Sequence, residues 1–196
     1  VWTDDHPGDL VIPTSGSTGK PKGVCLEFNT VYMNAAIAGY QIDFGDLDYW
    51  FVESDLSFMS AISHFLMAWQ NNKPLVFSRD IEFADIKDAL STLRIGFGGA
   101  PLQIKKLIEK LTDEWKPKVF VSSGDFLTDS IIELVHNRYP QSRFHSFYGL
   151  TEVGGRFCHQ GPDSLRVKKS TLTGKPLPGF SCKVVPSDPE DPGSNH

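Results

Sequence analysis

Apolar residues in this chain come in short runs separated by polar, glycine-rich or proline-bearing turns, and the length of each run decides which element it predicts. Leu10 to Ile12 and Val24 to Leu26 flank a turn rich in glycine and hydroxyl residues, a pattern that reads as strand, loop, strand. Asn29 or Thr30 can cap a helix running to about Tyr40, with Val31, Ala35 and Ala38 on its inward face. Tyr49 to Glu53 reads as a strand. The largely apolar segment after it has the length of a buried helix, with Asn71 and Asn72 as its stop and Pro74 to Ser78 as a short buried strand. Helix and strand then alternate. Helix Phe83 to Leu93 precedes strand Ile95 to Phe97, and helix Leu102 to Glu114 precedes strand Lys118 to Ser122. A helix capped by Thr128 or Asp129 runs to Tyr139 before strand Arg143 to Phe147. Alternation of this kind predicts an α/β layered domain with a largely parallel sheet flanked by helices, here over 1–172. From Thr173 short strands and prolines predict the start of a small β region over 173–186, and the Pro-, Asp-, Ser- and Gly-rich 187–196 is expected to be a disordered tail.

Composition narrows the function classes. The chain has 196 residues, 40% of them hydrophobic and 12% aromatic, enough to bury one good-sized core. Its formal net charge of -5 leaves no general excess of positive charge for a nucleic-acid backbone or an anionic membrane, so neither partner is expected. Any anion it binds must be held locally. The longest apolar stretch, Ala61 to Trp69, is interrupted by Ser63 and His64 and falls short of the roughly 20 residues of a membrane span. It reads as a core helix, with His64 a hydrogen-bonded core histidine rather than a catalyst. Cys25, Cys158 and Cys182 are widely spaced and form no zinc or redox motif. With no leader-like pattern visible, a reducing, cytoplasmic location is expected. The start at Val1 suits a processed or excised piece.

The densest chemical signal is Thr14-Ser15-Gly16-Ser17-Thr18-Gly19-Lys20-Pro21-Lys22-Gly23, set between the first two strands. Glycines let backbone N–H groups turn inward and approach phosphate oxygens, hydroxyls add neutral donors and lysines supply point charge, so the loop suits a polyphosphate. The plain alternative is a solvated hairpin loop. It is not a Walker A loop, because Thr14 and Pro21 stand where that pattern needs glycine and Ser or Thr. A second signal, Tyr148-Gly149-Leu150-Thr151-Glu152, directly follows a predicted strand. An aromatic ring can stack on adenine, a glycine admits close backbone approach, a threonine hydroxyl can reach a phosphate and a carboxylate can hold magnesium. A lone Thr-Glu after a strand is otherwise a helix cap or a solvated pair.

The two segments together resemble the phosphate-binding signature and the YGxTE motif of the adenylate-forming superfamily, which includes acyl-CoA synthetases, luciferases and peptide-synthetase adenylation domains. The resemblance implies nucleotide contacts from Thr14, Ser15, Gly16, Ser17, Thr18, Gly19, Lys22, Tyr148, Gly149 and Thr151, magnesium on Glu152, and catalytic roles for Thr151, Glu152 and Lys22. Val119 to Thr128 is similar to the family's adenine-binding turn and adds Ser123, Gly124 and Asp125; for Asp125 an ordinary strand-to-helix turn is an equal reading. Gly98 to Pro101 looks like the same turn but comes too early, and its place suits the segment bordering the acyl pocket. Gly174 to Phe180 is similar to the stretch that follows YGxTE in acyl-CoA synthetases. Phe58 stands where a gating aromatic is expected, and Phe58, Ser60 and Gly98 are the expected walls of a partly apolar acyl site. The family's ribose-binding aspartate and its later lysine lie beyond the matched region, so the chain resembles the central part of a larger enzyme.

The activity so implied is ATP- and magnesium-dependent conversion of a carboxylic acid to an acyl-adenylate, followed by transfer to CoA or a carrier-protein pantetheine. An acyl carrier protein is therefore an expected partner in the second case. A nucleotide-binding fragment without turnover is the main alternative, and a phosphotransferase, which would release ADP, is another.

Overall fold

The computed structural model describes residues 9–14, 22–77, 87–111, 115–167 and 173–183. Among them, two antiparallel strands, β1 (Asp9–Thr14) and β2 (Lys22–Glu27), form a hairpin that leads into α1 (Phe28–Tyr40). The chain continues through β3 (Tyr49–Val52), α2 (Met59–Gln70), β4 (Leu75–Phe77), α3 (Lys87–Thr92), β5 (Ile95–Gly99) and α4 (Pro101–Lys110). It then runs through β6 (Val119–Ser123), α5 (Asp129–Arg138), β7 (Arg143–Tyr148), β8 (Cys158–Gln160), α6 (Pro162–Val167) and β9 (Lys175–Pro176). Seven strands form one sheet in the order β4-β3-β5-β6-β7-β8-β9. The five from β4 to β7 are parallel, and β8 and β9 join antiparallel. The chain is thus an α/β layered domain with a largely parallel sheet, as its pattern predicts.

Both faces of the parallel strands are covered, which is why their apolar runs are continuous rather than alternating. Val119 and Val121 pack with Val31, Ala35 and Ala38 of α1 and with Ala61, Leu66 and Met67 of α2. Phe120, Phe97 and Phe144 point the other way, against Ile104 and Leu107 of α4, Ile132 and Val135 of α5 and Leu165 of α6. Glycines in β5 let α2 lie close. A Cβ on Gly96 would overlap the Trp50 ring, and one on Gly98 would come within 2.5 Å of the His64 ring.

Several boundaries differ from the expected ones. Helix α1 begins at Phe28 with Glu27 as its N-cap, so neither Asn29 nor Thr30 caps it. Thr128 is the N-cap of α5 but makes no side-chain bond to the helix backbone; its hydroxyl pairs with Ser130 at 2.9 Å. Helix α4 starts at Pro101, and Gln103 folds back so that its Oε1 accepts the Ala100 N–H at 2.7 Å. The stop after α2 holds as read: Asn71 Nδ2 donates to the Met67 carbonyl at 2.8 Å, and Asn72 takes φ 53°. Strand β8 and helix α6 have no counterpart in the sequence reading. The expected β region is represented among the described residues by β9, which continues the central sheet, and 187–196 lies outside them.

Strands β7 and β8 also bring two histidines together. His145 and His159 stack with centroids 5.3 Å apart, and His145 Nδ1 lies 3.0 Å from His159 Nε2. Burial lowers the pKa of His145 to about 3, helped by the His159 charge, and burial lowers that of His159 to about 4. A histidine held neutral in the fold keeps its full contribution above the unfolded pKa of about 6.5 and loses it as the pH falls below that value. The paired aspartates respond at lower pH: hydrogen bonds from Arg94 bring Asp48 to about 2. Thermal melts are therefore expected to show a falling midpoint between about pH 6.5 and 5, with a shallower fall in His159→Phe.

Candidate functional site

Strands β6 and β7 run parallel and end together, with Ser123 opposite Phe147. A cleft at the carboxyl ends of neighbouring parallel strands is where open α/β sheets bind ligands. Past Ser123, Gly124 adopts φ 88° and turns the chain away from the sheet. The opening so made is a cavity of about 280 Å3 whose walls include Gly124, Asp125, Phe126, Tyr148 and Gly149. Tyr148 is 44% exposed beside it, which leaves it open to a stacking partner. Asp125 Oδ1 accepts the N–H of Phe126 at 2.7 Å, which rigidifies the turn.

A second cavity, about 510 Å3, shares Gly124 and Gly149 with the first, so the two adjoin at these glycines. Its walls carry Thr14 from the hairpin, Phe58 and Ser60 from the start of α2, and Thr151, Glu152 and Arg156. Thr151 and Glu152 sit in a 3-10 turn closed by Gly154 N–H to the Thr151 carbonyl at 3.0 Å and Gly155 N–H to the Leu150 carbonyl at 3.1 Å. Gly149 has to be glycine because a Cβ would overlap the Gly155 carbonyl.

The structure brings Thr14, Gly124, Asp125, Tyr148, Gly149, Thr151 and Glu152 onto this cleft, from segments more than a hundred residues apart. Ser15, Gly16, Ser17, Thr18 and Gly19 lie outside the described residues. Lys22 pairs with Thr14 at the base of the hairpin, where the Thr14 hydroxyl donates to its carbonyl at 3.4 Å; its side chain is exposed and lines neither cavity. Ser123 also lines neither, and is buried with its hydroxyl lacking a hydrogen-bond partner among the described residues. Of the expected acyl walls, Phe58 and Ser60 line the larger cavity, whereas Gly98 is buried beneath His64. His64 is fully buried as expected but not hydrogen-bonded, since neither ring nitrogen has a partner among the described residues. Burial and the nearby Arg156 charge push its pKa well below the usual value.

Two residues went unnoticed in the sequence. Asn34, buried on the inner face of α1, accepts the Arg156 N–H at 3.0 Å and donates to the Arg156 carbonyl at 2.7 Å. Arg156 turns its guanidinium under α2, with Nε on Ser63 Oγ at 3.1 Å and Nη2 on the Ser60 carbonyl at 3.3 Å. The available signal was positional: Asn34 falls at helical spacing between Val31 and Ala38, and a polar side chain on an apolar face needs partners.

A family model described as "AMP-binding enzyme" matches residues 4–194. The chain belongs to the AMP-binding enzyme family. Among curated relatives, the 2-succinylbenzoate–CoA ligase of Bacillus velezensis is 25% identical over 174 residues, covering 87% of this chain and 34% of the relative. Acetyl-coenzyme A synthetase of Bacillus subtilis is 24% identical over 197 residues, covering 94% and 33%. The chain spans about a third of the length of these relatives. The solved o-succinylbenzoate coenzyme A synthetase of Bacillus subtilis, in complex with ATP and magnesium ion, superposes with a TM-score of 0.69 at 20% identity, covering 85% of this chain and 35% of that one. Its likeness establishes that the AMP-binding chain shares that fold.

Asn34→Ala would leave the Arg156 N–H buried and unpaired, and is expected to cost about 1–3 kcal/mol of stability. Urea denaturation measures this; a change within about 0.5 kcal/mol, the scale of a surface substitution, would contradict the clamp.

Proposed function

We propose that this chain forms the nucleotide-binding part of an enzyme that uses ATP and magnesium to convert a carboxylic acid to an acyl-adenylate and then to a CoA thioester. The observation that carries the reading is the convergence of Thr14, Thr151 and Glu152 on one cavity that shares Gly124 and Gly149 with the opening beside Tyr148.

The residues fit the polyphosphate. Thr14 and Thr151 offer neutral donors, and Gly149 lets the backbone come close to a ligand. Among the described residues no group of three or more His, Cys, Asp or Glu could cage a cation. A single carboxylate such as Glu152 suits magnesium, which keeps several waters and shares its sphere with substrate phosphates. Bound there, magnesium would neutralise phosphate charge as it builds up in the transition state.

In the first step an oxygen of the substrate carboxylate bonds to the α-phosphorus of ATP, and the bond to the bridging oxygen breaks, with pyrophosphate leaving as the electron pair's carrier. A carboxylate is already a nucleophile, so no general base is needed, and His64, buried and held neutral, has no proton to remove. Positioning by the two threonines would be one catalytic device, and charge neutralisation by the magnesium that Glu152 would hold the other. In the second step a thiolate attacks the acyl carbon and AMP leaves. CoA is the acceptor in this proposal, supported by relatives that are CoA ligases and synthetases; a carrier-protein pantetheine presents the same thiol. Cytoplasmic placement fits this chemistry, and no described helix is long and apolar enough to cross a membrane.

ATP–pyrophosphate exchange over a panel of carboxylic acids, run on this chain and on a longer form that includes it, tests the proposal. Acid-dependent exchange with AMP as product is expected; ADP would identify a phosphotransferase instead, and magnesium-dependent ATP binding without exchange in either form would reduce the chain to a binding module. Glu152→Gln is expected to lower exchange on the order of 10²-fold with the melting midpoint retained.

A further inference from the structure

Strand register places together the residues that wall the cavity beside Tyr148 on its sheet side. Ser146 and Tyr148 of β7 are two positions apart, so their side chains share one face of the sheet, and β8 sets Gln160 directly opposite Ser146 and Cys158 opposite Tyr148. The same face carries Phe144, which packs in one cluster with Leu165 of α6. Gln160 therefore lies diagonally from Tyr148, a separation of about 7–8 Å that rings and long side chains span. Ser146, Tyr148 and Gln160 all line the cavity. A planar base stacked on the Tyr148 ring would turn one edge toward Ser146 and Gln160.

The polar groups around that edge differ in what they can tell apart. Ser146 and Thr173, both on the cavity wall, carry hydroxyls, which donate or accept by rotating. Asp125 sits in the turn after β6, with Oδ1 engaged by the Phe126 N–H at 2.7 Å. Gln160 is different. It is 3% exposed, and its Nε2 donates at 3.4 Å to Oγ of Ser164 on α6, a residue that is not part of the cavity wall. With the donor arm of the amide directed to α6, the arm left for a ligand on the cavity side is the carbonyl oxygen, which only accepts. Adenine carries an amino donor at position 6, where guanine and hypoxanthine carry an acceptor oxygen. An acceptor held at that edge suits the first and opposes the second.

We propose that Gln160, oriented by Ser164, reads the 6-amino group of the nucleotide base and sets a preference for ATP over 6-oxopurine triphosphates. The inference rests on the nucleotide-binding part of the adenylation reading and deepens it. Stacking on Tyr148 is open to every base, since each has a π-face, and hydroxyls that meet phosphates do not see the base at all. The choice of purine then falls to one buried amide carried by β8 and turned by α6, the two elements without a counterpart in the sequence reading.

The test compares ATP, ITP and the triphosphate of unsubstituted purine riboside, by calorimetric binding and by pyrophosphate exchange, on this chain and on the longer form. The wild type is expected to prefer ATP to ITP by roughly 10-fold or more, with the unsubstituted purine between them. Gln160→Met should lower affinity for ATP and spare ITP, bringing the ratio close to 1. Ser164→Ala, at an exposed position, frees the amide to turn Nε2 toward the base and should raise ITP relative to ATP; it decides the matter if Gln160→Met fails to fold. Equal use of ATP and ITP by the wild type, a preference retained in folded Gln160→Met, or equal losses for all the nucleotides in that variant overturns the proposal. So does an unchanged ratio in Ser164→Ala where Gln160→Met is unfolded. Acid-dependent exchange that proceeds equally with ATP and ITP would sink this inference alone. ATP-selective binding that Gln160→Met abolishes, without exchange in any form, would leave the base contact standing and sink adenylation, and binding of no nucleotide by either form would sink both.

Discussion

The site hangs on two hydrogen bonds from one side chain. Asn34 grips both backbone polar groups of Arg156, a residue 122 positions away, and so pins the loop after the 3-10 turn to α1. The close approach of Gly149 to the Gly155 carbonyl follows from that anchoring, as does the contact range between Gly155 and Met59 at the start of α2. Thr151 and Glu152 lie between the two glycine segments, so their direction is set by how tightly the loop is drawn in. An amide suits the task because it offers a donor and an acceptor side by side without bringing a charge into the core.

The sheet supplies the rigid frame for this clamp. Parallel strands buried on both faces place β6 and β7 in fixed register, and their ends open the cleft. On the α2 face, the glycines of β5 let Trp50 and His64 lie against the backbone, which brings Ser60 and Ser63 within reach of Arg156. A bulkier residue at Gly98 would push α2 outward and separate the arginine from its holders. Packing that reads as ordinary core thus decides the inner shape of the site.

Electrostatics give the cleft two unlike ends in a chain whose overall charge is negative. At the mouth the Glu152 carboxylate is exposed beside the half-buried Thr151 and the hydroxyl of Thr14. The Arg156 guanidinium is buried among uncharged partners, Ser63, Ser60 and the Phe147 ring. The relatives, near 25% identity, leave the details of the cleft to be argued from this chain's own residues.

Sequence alone determined the fold class and most elements, and it offered the outer-cleft residues as candidates. Strand and helix runs are local properties of side-chain periodicity, and the hydroxyl-rich loop and the Tyr148 to Glu152 segment are contiguous, so their chemistry is visible without coordinates. It missed β8 and α6, which are short and carry little periodicity, and it put the cap of α1 two or three residues late, because Glu27 serves without a side-chain bond. It also enlisted Gly98 as a pocket wall, where its role is to make room for His64. Only the tertiary structure decided that Asn34 holds the loop and that Arg156 is buried without a counter-charge among the described residues. Both depend on contacts between residues roughly a hundred positions apart, and the energy of a buried charge is set by what surrounds it in space, which no local pattern records.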